Sequence, residues 1–503
     1  MKTIPQANLT IHDLVPIANA QIKVKLNPRQ ISQINKTFQF VKKIRNQAQA
    51  VYGINTGFGA LANVILAKDQ LITLQENLIA SHAVGTGPYL DKRIIRTAMF
   101  LRANMLAKGY SGVRPILIQT LLTLLNHDLI PLVPETSSVG ASGDLSPLAF
   151  IARALLGHGE VLYQDKTIPA KQALKLIGLR PFQLEIKEGL ALINGTDVMS
   201  ASAALTLAQA QYLTKLETLA SALSIVAMQA KTTPFDLRIM QLKPHPAQIT
   251  VAKNLLKLLA GYIPASNKVQ DAYSLRCLPQ YAGASQEGFK FAKQIIETEI
   301  NSISDNPIIV KSNQTKDQYE IVSGGNFHGQ ALALALDTMA IALTTITITS
   351  ERRLFRMLDD KLSGLSPFLV ENPGVNSGLM MLQVLAAALV SENKVLVHPA
   401  SVQSIPTSAS QEDFVSMGMT AANKTRRILD NALSVIAIEL LCARQAIELA
   451  KRKLPRRLKP FYGILADTIP YITNDRLFQD DIIKIKNLIN SASFQKLIDH
   501  AIL

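Results

Sequence analysis

Between Thr196 and Gln229 the chain reads TDVMSASAALTLAQAQYLTKLETLASALSIVAMQ, without one glycine or proline. A run of that length with no breaker is expected to form a single helix of roughly 50 Å. Apolar and small residues occupy most of its faces, which places it inside a bundle. Long proline-free stretches recur at 328–363 and 411–452. The spacing therefore predicts a mainly α chain whose second part, 191–503, is a bundle of long helices followed by C-terminal helices.

The part before it, 1–190, is punctuated differently. YGINTGFGA (52–60), VGTGPYL (84–90) and LIPLVPETSS (129–138) break the apolar periods with glycine and proline, so a loop-rich globular domain is expected there. HGEVLYQDKTIPAKQAL (158–174) reads as a small hairpin followed by a helix, the one convincing strand signal in the chain.

Charged residues make up 18% of the sequence and hydrophobic ones 48%, against roughly 25% charged in an ordinary soluble protein. That balance calls for a large core, large interfaces between copies, or both. The net charge of +15 raises a nucleic-acid reading. Lysine and arginine are scattered, however; the densest run, KRKLPRRLKP (451–460), is one local patch, and tryptophan is absent. Attraction of small anionic substrates fits better, and a basic nucleic-acid-binding helical protein is the remote alternative. The two cysteines, Cys277 and Cys442, make no disulfide framework. The first residues, MKTIPQANLTIHDLVP, carry charges and prolines where a signal peptide needs an apolar run. The apolar stretches 331–349 and 380–390 read as buried core helices rather than membrane spans. A cytoplasmic protein with no membrane partner is expected. The eight histidines show no HExxH or other clustered spacing, which argues against a metal site. The S-x-x-K spacing in SENK (391–394) lies in an apolar helix without the partner motifs of a serine acylase.

One short segment holds the chemistry. In SSVGASGDLSPLA (137–149) a serine stands between small residues, but the order Gly140-Ala141-Ser142-Gly143-Asp144 lacks the last glycine of a nucleophile elbow, and no strand precedes it. The backbone offers another use. Gly143 has no Cβ, so its nitrogen can approach the Ala141 carbonyl in a conformation closed to other residues. Attack there closes a five-membered ring. Loss of one water makes the ring aromatic, and dehydration of Ser142 leaves an exocyclic methylidene. The product is a methylidene-imidazolone electrophile made from Ala141, Ser142 and Gly143, with no external cofactor.

GASGDLSPLA (140–149) resembles the signature of the histidine and aromatic amino-acid ammonia-lyases, which carry that group. The resemblance spans nearly the whole chain and follows the family's order: YGINTGFG (52–59), SHAVGTG (81–87), ALINGTD (191–197), QDAYSLRCLPQ (270–280), SDNPI (304–308), SGGNFHGQ (323–330), VNSGLMMLQVLAAALVSENK (375–394) and HPASVQSIPTSASQEDFVSMG (398–418). It implies a mainly α homotetramer of ammonia-lyase type built around a long helix bundle. Its reaction removes ammonia from an amino acid, which needs an electrophile for the amine and a base for the β-proton.

The resemblance also implies roles for single residues. Tyr52 matches the family's favoured β-proton base; a tyrosine hydroxyl has an unperturbed pKa of about 10 and serves only where neighbours lower it. Tyr273 and Arg276 stand at i, i+3 and share one face if helical. Arg276 matches the arginine that holds the substrate carboxylate, and Gln270 heads the same motif as a further substrate-binding candidate. Asn194 matches a residue that hydrogen-bonds the prosthetic group, and Phe327 one that packs beside it.

Ser81-His82 and Glu412 bear on substrate choice. Phenylalanine-type members carry Phe-Leu at the first pair and tyrosine-type members His-Leu, whereas Ser-His resembles the histidine type. An imidazole needs polar partners for its nitrogens, which His82 and Glu412 supply; a phenyl ring leaves a buried carboxylate unpaired. Conversion of L-histidine to urocanate is the leading expectation, with a tyrosine or phenylalanine lyase or aminomutase on the same scaffold as the alternative. Two positions depart from the histidine pattern: Phe414 stands where histidine is common, and Leu278 where glutamine is.

Overall fold

The computed structural model describes residues 1–4, 8–44, 51–54, 56–57, 66–67, 70–266, 268–314 and 318–502. The proline-free run is one helix, Asp197–Ala227. Alanine and leucine give it high intrinsic propensity, and it is buried on nearly every face. Its end is set by Gln229, which turns left-handed at φ 53°. There Ala230 N donates to Ile225 O at 3.0 Å and Gln229 N to Val226 O at 3.2 Å, satisfying carbonyls that the last turn leaves open. The other two runs also become long helices, Gln330–Leu358 and Gly418–Leu449. The first stops at Asp359, whose carboxylate instead caps Leu362 N at 3.1 Å and starts the short helix Asp360–Ser363. The fold is mainly α, as the periodicity predicts.

The chain divides into two compact units. Met1–Ala208, Ala292–Asp337 and Pro399–Asn423 form one; Gln209–Phe291, Thr338–His398 and Lys424–Leu503 form the other. This division does not coincide with the expected cut after residue 190. The ends of the long helices group with the N-terminal part, because loops anchored there cap or bind them. Asp337, the residue that interrupts the apolar run at 331–349, is one such anchor: its carboxylate receives Ala400 N at 3.2 Å and Ser401 N at 2.8 Å.

Within the first unit, the hairpin Glu160–Tyr163 with Lys166–Pro169 and the helix Ala170–Leu176 form where the sequence signals them. A second hairpin, Ile308–Lys311 with Tyr319–Val322, pairs Ile309 with Ile321 in antiparallel register. Sequence reading missed it, although IIVK and YEIV both carry β-branched residues. Ile309 of that hairpin packs with Phe40, Val41, Ile44, Ile54, Leu71 and Ile186 in a core cluster. Ile54 thereby fixes the loop that carries Tyr52.

In the second unit a buried polar network joins the long helices. Arg353 forks onto Glu439 (2.6 and 2.9 Å) and donates to the Tyr281 hydroxyl at 2.6 Å. Glu439 also receives Ser224 at 2.7 Å and Ser350 at 2.6 Å. The bidentate pair is fully buried, and each remaining lone pair of Glu439 has a donor, which is what makes such a pair tolerable in a core. Glu217 lies beside it with Oε1 unpartnered, and burial pushes its carboxyl up to about 8.

The helices over 331–349 and 380–390 differ from expectation in one respect: each is buried on one side only. On Gln330–Leu358 a seam of Leu334, Thr338, Ile341, Thr345, Ile348, Arg352 and Phe355 runs at alternating spacings of four and three, with Leu334, Ile341, Arg352 and Phe355 exposed. On Met380–Leu396 the exposed residues Met381, Val384, Ala388, Ser391 and Val395 repeat the pattern. A helix apolar all round presents more surface than its neighbours in one chain cover. Gln330–Leu358 is long and apolar enough to cross a membrane, yet 67% of its most apolar window is buried inside the protein. The SENK segment lies within Met380–Leu396.

Candidate active site

Ala141-Ser142-Gly143 forms a turn at the entrance to the helix Leu145–Leu155. Gly143 sits at φ 74°, in the left-handed region, and a Cβ there would collide with the Gly195 carbonyl. The two glycines pair as a parallel bridge, and Asp144 N donates to Gly195 O at 2.7 Å. The other limb of the turn is clamped as well. Ser138 Oγ donates to Gly143 O at 3.2 Å, Ser416 Oγ donates to Gly140 O at 3.1 Å, and Met417 N donates to Val139 O at 2.8 Å. The triplet is thus held from both sides in a conformation that only glycine at 143 permits.

Asp144 is the residue that sequence reading passed over. Its Oδ2 receives the amides of Val198 at 2.7 Å and Met199 at 2.8 Å, taking two N–H groups that the start of Asp197–Ala227 leaves open. It is fully buried, Oδ1 has no partner, and burial pushes the carboxyl up to about 8, with the two amides and Arg102 pulling the other way. Arg102, also overlooked, donates to Ala191 O at 3.1 Å and Asn194 O at 2.9 Å and pairs with Asp197. A Cβ on Gly195 would strike that guanidinium. The signal for Asp144 was its place directly after the triplet; nothing in the sequence marked Arg102.

Asn194 follows the helix Glu188–Ile193 as its C-cap. Its Oδ1 is nevertheless buried with no partner, beside the loop that holds Gly143. An orphaned acceptor at that place fits a group formed at the triplet better than a purely structural cap.

Ser81 and His82 end the helix Leu71–His82. His82 Nδ1 lies 2.8 Å from Leu78 O, and Ser81 Oγ lies 3.1 Å from the same nitrogen. A carbonyl only accepts, so Nδ1 carries the hydrogen and Nε2 of the neutral ring is left as an acceptor. The segment after it is tied to the triplet's helix, since Ser146 Oγ donates to Val84 O at 2.5 Å.

Glu412 meets the triplet directly. Ser142 Oγ donates to its Oε1 at 3.3 Å, and Thr407 Oγ1 donates to its Oε2 at 2.7 Å. Phe414, one of the departures from the histidine pattern, is 54% exposed and lies nearly parallel to the His328 ring at 5.8 Å. Phe327, next to that histidine, is half-buried.

Tyr52 is half-buried, and its neighbour Gly53 packs against Leu190 and Pro307. Asn55, Phe58 and Gly59 of the same motif lie outside the described residues. The SDNPI segment is anchored by a fully buried pair, Lys187 to Asp305 at 2.7 Å.

Gln270, Tyr273 and Arg276 belong to the second unit. Tyr273–Arg276 is a short helix, so the expected shared face exists: the Arg276 guanidinium stands 5.7 Å over the Tyr273 ring and bonds to Gln270 Oε1. Tyr273 is 74% exposed. Leu278 starts the next helix and is buried, which makes it a core residue of that unit. A surface cavity of about 670 Å³ beside the helix Pro28–Ile44 contains none of these residues.

The arrangement brings a cyclisable triplet, an orphaned asparagine oxygen and a carboxylate to one place in the first unit. The profile of the aromatic amino acid lyases matches residues 9–466. A histidine ammonia-lyase of Alkaliphilus oremlandii is 43% identical, covering 98% of this chain and 97% of its own. The crystal structure of histidine ammonia-lyase from Trypanosoma cruzi superposes with a TM-score of 0.92 at 37% identity, over 100% of this chain and 96% of that one. A tyrosine aminomutase from Streptomyces globisporus does so with a TM-score of 0.93 at 33% identity, over 99% and 98%. With nearly its whole length matched by the family and by relatives of that similarity, the chain belongs to the aromatic amino acid lyases and is a carbon–nitrogen lyase.

Proposed function

We propose that the chain eliminates ammonia from L-histidine to give urocanate, the first step of histidine breakdown. The observation that carries this reading is the contact between Ser142 and Glu412, which sets a carboxylate beside the triplet. The residues around the triplet fit a methylidene-imidazolone formed from Ala141, Ser142 and Gly143. Gly143 has room for ring closure that no other residue has, and Asn194 Oδ1 is free to meet the product. When formed, that group supplies the electrophile that captures the amine and makes it a better leaving group.

The chain's own residues do the rest. Tyr52, on a loop pinned by Ile54 and Gly53, takes the β-proton. Arg276, oriented by Gln270 and Tyr273, forks onto the substrate carboxylate. His82 Nε2 and Glu412 accept the two ring N–H groups of the substrate's imidazolium form. Phe327 packs beside the prosthetic group. A phenylalanine ring satisfies neither acceptor, and leaving them unpaired in a closed site costs about 1–3 kcal/mol each.

One observation favours the tyrosine or phenylalanine alternative. Phe414 places an apolar ring against His328 where the histidine type has a polar one. It faces a half-buried histidine rather than the triplet, so the histidine reading stands first.

The working form is a homotetramer, supported by the exposed heptad-like seams of Gln330–Leu358 and Met380–Leu396, which suit helix-on-helix packing between copies. The protein acts in the cytoplasm on a small amino-acid substrate. Incubation with histidine, tyrosine and phenylalanine, followed in the ultraviolet for the conjugated acid product, tests the proposal. Product from histidine supports it, and product from tyrosine or phenylalanine alone overturns it.

A further inference from the structure

Before any ring has formed, Glu412 is already engaged on both oxygens. Oε2 holds Thr407 Oγ1 at 2.7 Å and Oε1 holds Ser142 Oγ at 3.3 Å. Among the described residues no other side chain bonds to the Ser142 hydroxyl. Thr407 and Glu412 also exchange backbone bonds, Thr407 N to Glu412 O at 3.0 Å and Glu412 N to Thr407 O at 3.3 Å. The turn between them runs through Ser408, Ala409 and Ser410 at φ 50°, 53° and 64°, three consecutive non-glycine residues in the left-handed region. Such a turn persists only where its surroundings hold it. Here it sets the carboxyl of Glu412 at one height above the triplet.

We propose that Glu412 is the proton donor that expels the Ser142 hydroxyl during self-processing, and that Thr407 is the residue that positions it. This rests on the reading that the triplet cyclises. Ring closure forms the bond between Gly143 N and the Ala141 carbonyl carbon, and the Ala141 oxygen leaves as water, taking the Gly143 amide hydrogen and the Ser142 amide hydrogen. The second water is the one Glu412 serves. The Cα hydrogen of Ser142 leaves as a proton to solvent, and its electron pair becomes the second bond between Cα and Cβ. Glu412, an acceptor in the resting turn and only half-buried, takes up the proton released from Cα by way of solvent and passes it to Oγ as the Cβ–Oγ bond breaks, so the oxygen departs as water instead of hydroxide and the carboxylate is restored. No oxidant or other reactant is consumed.

The step has a second consequence. Once Oγ has gone, Oε1 is vacated while Thr407 still holds Oε2. Processing thus makes the electrophile and unmasks the oxygen that meets the substrate ring.

The test uses intact mass and mass mapping of the 141–143 peptide in the full-length protein, sampled through refolding. The unmodified chain ends two waters light. Glu412→Gln closes the ring but stalls one water light, losing the second about 10²-fold more slowly, the lower range for a positioned acid. Glu412→Asp, which keeps a carboxyl, recovers part of that rate. Thr407→Val slows the second loss and Thr407→Ser restores it, a rescue that a packing role for the methyl group does not give. If Glu412→Gln loses both waters at the unmodified rate, or if folded Glu412→Gln loses neither, the assignment is overturned. An unmodified active chain at full sequence mass instead removes the cyclisation reading beneath it.

Discussion

The amide of Asp144 donates to the carbonyl of Gly195 at 2.7 Å, while the Asp144 carboxylate receives the first amides of Asp197–Ala227. One residue therefore ties the cyclising turn to the start of the buried helix Asp197–Ala227. Asp144→Ala leaves two helix amides open in a dry site, at about 1–3 kcal/mol each. A loss of about 2–6 kcal/mol is expected by urea unfolding. Asp144→Asn keeps an acceptor, and burial pushes the native carboxyl up to about 8, which favours its neutral form at pH 7. Asparagine is therefore expected within about 1 kcal/mol of the native protein. Equal losses for the two variants would contradict the capping account.

The purified chain should weigh two waters less than its sequence, with the loss in the peptide containing 141–143. Ser142→Ala should retain the fold and lose nearly all activity. Gly143→Ala is a sharper probe, because its Cβ meets the Gly195 carbonyl rather than anything reactive. It should leave the mass undiminished, and a Gly143→Ala protein two waters light would show that the close approach is not required.

Much of this was legible in the sequence, for reasons that differ by element. The Asp197–Ala227 helix could be read because nothing in it breaks a helix, and Tyr273 and Arg276 because four residues suffice to put i and i+3 on one face. The triplet was legible as chemistry, since ring closure depends on covalent neighbours. Arg102 was not: its partners lie about 90 residues further along, at Ala191, Asn194 and Asp197, and only the fold brings them together. Thr407 was hidden for another reason. Its bond to Glu412 depends on a left-handed turn through Ser408, Ala409 and Ser410, residues that have no preference for that conformation. The exposed seam on Gln330–Leu358 was masked by its own composition, because an apolar helix reads as buried whichever chain buries it.

Glu217 makes stability fall with pH. Its carboxyl is raised from an ordinary value near 4.5 to about 8 by burial, with Glu439 adding repulsion and Arg353 opposing. Between those two values the folded protein holds a proton that the unfolded chain has released. The stability from this group is fully present below the unfolded value and is lost as pH rises through the folded one, at up to about 1.4 kcal/mol per pH unit. Glu217→Gln, neutral throughout, should flatten urea unfolding measured at pH 6, 7 and 8. An unchanged slope in that variant would place the proton elsewhere.

Charge on the exposed seam should disturb assembly without touching the candidate site. Ile341→Glu and Phe355→Glu introduce carboxylates at two seam positions. In analytical ultracentrifugation the unmodified chain is expected to sediment as a tetramer and the double variant as smaller species. A native monomer at micromolar concentration with full activity would contradict the assembly.

Replacing Ser81-His82 with His-Leu removes the acceptor that His82 Nε2 presents and should admit tyrosine at the expense of histidine. Glu412→Gln should lower histidine turnover as well, since an amide gives up the charge-assisted bond, roughly twice as strong as a neutral one. Because that variant also alters self-processing, its turnover is to be compared per mole of protein two waters light. A histidine rate unaffected in both variants would remove His82 and Glu412 from substrate recognition.

The most direct measurement is kcat/KM of the unmodified protein for L-histidine, L-tyrosine and L-phenylalanine. Paired acceptors at His82 and Glu412 predict that histidine leads, by about 10⁴-fold where buried polar partners set the specificity fully. If tyrosine or phenylalanine surpasses histidine, the histidine account is contradicted, and Phe414 and Leu278 were the residues to follow.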